Sequence, residues 1–158
     1  MPRVTQHHDI VPEGRHMNLH GSVRTELELR LVVPGGPPLP VRADLRYCAD
    51  DPWAVRLAFH VGDGGDTGSV VEWLFARDLL VEGITGPAGA GDVRVWPSAG
   101  WDRVVNMAMA SPSGSAVFEL DLDALVEFLE QTCLAVPTGS EEGVVDLDSE
   151  LALLFQID

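Results

Sequence analysis

The chain has 158 residues, enough for one domain with a sizeable core, and its 46% apolar and 22% charged residues are ordinary globular composition. Acidic residues outnumber basic ones 25 to 10, and the resulting charge of −15 repels nucleic-acid backbones and anionic lipid. No apolar run approaches the roughly 18 residues of a spanning helix, and the N-terminal MPRVTQHHDIVPEGRH lacks a secretory core segment, so a cytoplasmic protein is expected.

Residues 1–17 read as a polar, irregular arm with Pro2, Pro12 and Gly14, and Met17 is a second candidate start. Leu27, Leu29, Leu31 and Val33 then alternate with Glu26, Glu28 and Arg30, the pattern of a half-buried strand. PGGPPLP (34–40) supplies a turn. A second strand carries Val41, Ala43, Leu45 and Tyr47 on one face and Arg42, Asp44 and Arg46 on the other. After Asp50-Asp51-Pro52, a third strand turns Val55, Leu57, Phe59 and Val61 inward and Arg56 and His60 outward. The loop GDGGDTGS (62–69) leads to VVEWLFARDLLVEG (70–83), which begins as a strand and ends as a helix. Val71, Trp73 and Phe75 form its inner face, and Val70 and Leu74 make the other face apolar too, so both sides are expected to be covered. Asp78 favours the first helical turn, and Gly83 suits a left-handed C-cap.

The second half predicts strands at Val93–Pro97, around Val105, Met107 and Met109, and at Ala116–Leu120, with SPSG (111–114) as a turn. Leu122, Leu125, Leu129, Cys133 and Val136 recur at helical spacing, with Asp121 or Asp123 as cap and Pro137 as stop. After TGSEEG, a final helix is expected with Leu147, Leu151, Leu154 and Phe155 on one face. Runs of strands joined by turns predict an α+β domain of twisted antiparallel sheets with helices packed at one side.

No catalytic, cofactor-binding or metal site follows from the residues. His7, His8, His16 and His20 lie in or beside the arm without partners at ligand spacing, and His60 reads as surface. GPAGAGD (86–92) is not GxGxxG and precedes a strand, and no GxSxG occurs. The pairs Asp63/Asp66 and Asp146/Asp148 lack the EF-hand pattern and read as loop solvation and capping. Cys48 and Cys133 are expected as free thiols, Cys133 as a small buried hydrophobe. Trp73 reads as core. Trp53, Trp96 and Trp101 sit at strand ends or loops, where aromatics anchor partners, and Arg42, Arg46 and Arg56 form a local patch on one sheet face.

The blocks LRLVVPGGPPLPVRADLRY (29–47), DPWAVRLAFHVG (51–62), VEWLFARDLLVEGITGPAGAGDVRVWP (71–97), SPSGSA (111–116), LVEFLEQTCLAVPTGSE (125–141) and DLDSELALLF (146–155) resemble the SsgA-like proteins, sporulation and cell-division regulators of filamentous actinomycetes. The likeness covers about residues 18–155, so one SsgA-like domain is expected over 18–158, following the arm. The basic residues are all Arg, in keeping with a GC-rich host. The resemblance implies a whirly-like fold of two β-sheets with helices, a homotrimer, and a non-enzymatic adaptor without cofactor. It implies action at the division septum: septum placement, recruitment of the tubulin-like division protein FtsZ, or contact with other SsgA-like proteins. Whirly folds elsewhere bind single-stranded nucleic acid, an alternative that the −15 charge disfavours. Candidate partner-binding residues, taken as exposed, are Trp53, Arg77, Trp96 and Trp101. Candidates for the oligomer interface are the apolar strand 70–76 and the last helix, through Leu151 and Leu154.

Overall fold

The structure is a computed structural model that describes residues 21–61, 69–100 and 102–141, together with the backbone of 16 and 17. The rest of the arm, the loop 62–68, Trp101 and the predicted last helix with Leu151 and Leu154 lie outside the described residues.

Among the described residues, eight strands and two helices follow in chain order: β1 (His16–Met17), β2 (Ser22–Leu31), β3 (Leu39–Cys48), β4 (Asp51–Val61), β5 (Ser69–Ala76), α1 (Arg77–Gly83), β6 (Val93–Pro97), β7 (Val104–Ser111), β8 (Gly114–Asp121) and α2 (Leu122–Ala135). β1, within the span expected to be irregular arm, pairs with β2, and Gly21, just before β2, takes φ +74°, which glycine adopts readily. All described pairings are antiparallel.

The strands make one sheet, not the two expected, in the order β5-β4-β3-β2-β8-β7-β6. The expectation of two has a visible origin. The sheet consists of two meanders, β2–β5 and β6–β8, joined at a short seam. There β2 and β8 meet through only Arg30↔Glu119 and Leu31↔Phe118, extended by the Val32 amide donating to the Val117 carbonyl at 2.9 Å. The turn at 34–38 lies just beyond this point and returns the chain as β3.

The predicted alternation places the core. Leu29, Ala43, Leu45, Tyr47, Val55, Leu57, Phe59, Val105, Met107 and Leu120 point inward and are buried. α2 lies against β2 and β8, across the seam, and buries Leu125, Phe128, Leu129 and Thr132. Each fully buried Leu contributes about 1.5–3 kcal/mol of transfer free energy. Asp121 caps α2 by accepting from the Ala124 amide at 2.9 Å. Asp123, the other capping candidate, instead holds Arg103 in a bidentate pair, with Nε to its two oxygens at 3.1 and 3.0 Å. Cys133 is half-buried rather than buried, its Sγ 3.3 Å from Thr138 Oγ1.

α1 touches β4, β5 and β6, so it bridges the far ends of the sheet. Gly83 is not the left-handed cap the sequence predicts. It is the last helical residue, and the following Ile84 stays right-handed at φ −76°, ψ −16°. Its glycine is required for space: a Cβ there would lie 2.3 Å from Val95 Cγ1 on β6. β5 is an edge strand. Phe75 is buried and Trp73 half-buried, but Val70, Val71 and Leu74 are 55%, 47% and 58% exposed, so the expected cover on both faces is not supplied by the described chain.

Candidate functional site

Arg77 was expected at the surface; it is 1% exposed. It opens α1 directly after β5 and points inward because its position continues the buried parity of Trp73 and Phe75. Its guanidinium donates to the carbonyls of Thr132 (3.2 Å) and Val136 (2.6 Å), where α2 ends, and to Glu141 Oε1 (2.7 Å). It also lies over the Tyr47 ring, 5.1 Å from the centroid. A cation here meets the negative end of the α2 dipole, adding a donor to the Thr132 carbonyl, which also accepts from the Val136 amide at 2.9 Å, and one to the Val136 carbonyl. Glu141 is itself buried, its second oxygen accepting from the Gly139 amide at 2.8 Å. The hydrogen bond from Arg77 holds the Glu141 carboxyl below the usual range. Burial pushes the Tyr47 phenol up, against the nearby Arg77 charge, and its hydroxyl donates to the Pro52 carbonyl at 3.1 Å. Arg77 is therefore a tie between the β5–α1 junction and the end of α2, not a contact residue. This is the purpose of the strand-to-helix junction in VVEWLFARDLLVEG.

Of the tryptophan candidates, Trp53 and Trp96 stand on different strands, and Trp101 lies outside the described residues. Trp53 is 43% exposed at the start of β4, and Trp96 is half-buried on β6, the last strand of the sheet.

The chemistry that does converge lies on the outer face of β2, β3 and β4. Arg24, Arg46 and Arg56 are directly opposite one another in register. The patch expected from Arg42, Arg46 and Arg56 thus contains Arg24 instead, because the register places Arg42 opposite Glu28. Asp44, read from the alternation as a solvent-facing residue, is 1% exposed. Its Oδ2 accepts from Arg24 at 2.9 Å and from Arg46 at 3.2 Å, and lies 3.0 Å from His60 Nε2. Burial pushes the Asp44 carboxyl up, but the hydrogen bond to His60 and the charges and hydrogen bonds of Arg24 and Arg46 outweigh it, leaving the group below the usual carboxylate range. His60, expected as plain surface, is part of this cluster. Arg56 pairs with Glu72 of β5 at 3.2 Å. An open groove of about 430 Å³ runs past Arg24, Arg46, Arg56, Ser22, Asp51 and Glu72. The alternation told which residues face outward; it did not tell that one acid would be buried beneath two arginines and a histidine, because that depends on cross-strand register.

The family described as "Streptomyces sporulation and cell division protein, SsgA" matches residues 41–141. "Sporulation-specific cell division protein SsgB" of Frankia casuarinae is 50% identical over 137 residues, which cover 86% of this chain and 93% of that relative. The protein of the same description from Streptomyces coelicolor is 49% identical over 135 residues, covering 85% and 96%. The crystal structure of an SsgA-like sporulation-specific cell division protein from Thermobifida fusca aligns with a TM-score of 0.73 at 47% identity, covering 86% of this chain and 98% of that one. A second solved structure, described as "Mutations in SsgB correlate to longitudinal cell division during sporulation of Streptomyces coelicolor", aligns with a TM-score of 0.72 at 49% identity, covering 83% and 99%. Sequence match and fold agree over nearly the full length of these relatives, and this chain belongs to the SsgA family of sporulation and cell division proteins.

Proposed function

We propose that this protein is a non-enzymatic adaptor of sporulation-specific cell division, working at the septum by contacts with other proteins. The observation that carries the reading is the 50% identity to a protein named for sporulation-specific cell division over 93% of its length. The action proposed is septum-site selection and recruitment of FtsZ, alone or with other SsgA-like proteins. No helix of the described residues is long and apolar enough to cross a membrane, so a septal position would be held through partners unless segments outside them contribute. We also propose a whirly-like homotrimer. Its support is the unpartnered edge of β5, where Val70, Val71 and Leu74 are exposed together. The alternative, a module for single-stranded nucleic acid, has a charge of −15 against it.

The test is co-sedimentation of the purified protein with FtsZ polymers from the same organism, across a salt series. Retention in the pellet with altered polymer length or bundling is expected. No retention at any salt concentration sinks the FtsZ assignment and moves the function to another division or wall-synthesis partner.

A further inference from the structure

Arg24, Arg46 and Arg56 form a row across three adjacent strands, each directly opposite the next. Like charges in directly opposed positions destabilise a sheet. Neighbouring strands lie about 4.8 Å apart, so the row places three guanidinium stems within about 10 Å. A sequence selected only for stability would alternate signs here, and departures from local rules concentrate at working sites. The protein has 25 acidic residues to set against its 10 basic ones, yet three of the ten stand in this row.

The row is only partly neutralised from within. Arg24 and Arg46 each place one hydrogen bond on Asp44, and Arg56 places one on Glu72. Glu26 lies 3.7 Å from Arg24. Each guanidinium carries several further donors in a planar fork suited to carboxylates. The three side chains are 49%, 43% and 56% exposed, so those donors open to the groove. Below them, Asp44 Oδ1 and Arg46 Nε are buried without a hydrogen-bond partner among the described residues, so the cluster is not saturated by its own members. Asp44 nevertheless anchors two of the three arginines.

We infer that the Arg24–Arg46–Arg56 row is a docking surface for an extended, acidic polypeptide segment of a protein partner, whose carboxylates take the free guanidinium donors. The inference rests on the adaptor reading above and names the surface that reading leaves open. A peptide fits the site better than nucleic acid. Its carboxylates are compact and can exchange with Glu72 and Glu26 one at a time, whereas a phosphate strand would meet Asp51, Glu72 and Glu26 at the rim together with the field of the whole molecule. In about 0.15 M salt the screening length is about 8 Å, which removes the repulsion of distant acidic residues and leaves the direct contacts.

The experiment uses the full chain and a fluorescein-labelled oligoglutamate of about ten residues, long enough to cross three strands. Fluorescence anisotropy is read at about 0.15 M salt, with oligothymidylate of the same length as the second probe. Oligoglutamate is expected to bind more tightly than oligothymidylate. The double variant R24Q/R56Q should weaken oligoglutamate binding by about tenfold or more, as expected for two lost charge-assisted contacts. R94Q, on exposed Arg94 of β6, should bind as the unsubstituted protein does. R56E serves as a second variant, because Arg56 and its partner Glu72 are both largely exposed and the fold does not depend on the pair. It too should weaken binding, by repulsion. Unchanged affinity in R24Q/R56Q and R56E overturns the inference, as does tighter binding of oligothymidylate. Co-sedimentation separates the two readings. If R24Q/R56Q pellets with FtsZ as the unsubstituted protein does while its oligoglutamate affinity is also unchanged, the row fails and the adaptor reading stands. If the unsubstituted protein does not pellet, but its oligoglutamate binding is lost in R24Q/R56Q, FtsZ recruitment fails and the row stands.

Discussion

Replacing Arg77 with Met removes the tie between α1 and α2 while keeping an unbranched side chain in the cavity. The substitution leaves Glu141 buried with the Gly139 amide still donating to it, and takes the guanidinium donor away from the Thr132 and Val136 carbonyls. Removing one partner of a buried ion pair costs about 3–5 kcal/mol, because the other charge stays desolvated. For a domain of this size each kcal/mol shifts Tm by about 2–4 °C, so R77M should lower Tm by about 6–20 °C. E141Q keeps an acceptor oxygen for the guanidinium and should lose less, about 1–3 kcal/mol. R77M/E141Q removes both charges and should recover part of the R77M loss, giving a coupling of about 1–3 kcal/mol. Urea unfolding followed by circular dichroism measures all four proteins at one fixed protomer concentration, since any oligomer makes Tm concentration-dependent. If R77M unfolds within about 1 kcal/mol of the unsubstituted protein, the range of an ordinary surface change, the tie is not a stabilising element and the reasoning is refuted.

G83A places a Cβ 2.3 Å from Val95 Cγ1 and should destabilise by about 1–3 kcal/mol, although alanine is the better helix former; an unchanged or raised Tm would show that β6 yields freely. Asp44 has a lowered carboxyl pKa, so its contribution is present in full above the unfolded value near 3.8 and is lost as pH falls through the folded one. D44N should therefore flatten the acid limb of the stability–pH profile, and an acid limb identical to that of the unsubstituted protein refutes this role for Asp44. Glu141 behaves with the same sign from its reference near 4.5, so E141Q should flatten the same limb independently. For the proposed trimer, L151E/L154E should give monomers or unfolded chain, and V70E/L74E should give monomers; a folded trimer from either variant in analytical ultracentrifugation removes that segment from the interface.

Alternation made much of the sheet legible. The inward sets Val41, Ala43, Leu45, Tyr47 and Val55, Leu57, Phe59 follow from the period of two alone, because each side chain must choose between core and water. The helix spacing located α2 to within a residue or two for the same reason. What alternation does not encode is register between distant strands, and that is where the informative features lie. Asp44 belongs to an outward set and is buried only because Arg24 and His60 arrive from the neighbouring strands. Arg77 looked like a surface charge at a junction, since its partners lie 55–64 residues further on. Gly83 carried a helix-end signal, but the glycine serves a close approach to β6, a tertiary constraint that its neighbours in sequence do not reveal. The two sheets that the family resemblance implies are one sheet here, its two meanders joined by two residue pairs.

That seam divides the molecule into units of unequal cooperativity. β2 and β3 share ten register pairs and β7 and β8 share eight, whereas the link between the two groups has two. In native-state hydrogen exchange the amides of β2–β4 and of β7–β8 should fall into separate protection classes, each opening at its own free energy. α2, lying over the seam, and Arg77, pinning its end, then act as the latch that keeps the gap between the two classes small. Releasing the latch by R77M should widen the gap between the classes before it unfolds either, so the protein would loosen along a line set by its chain order.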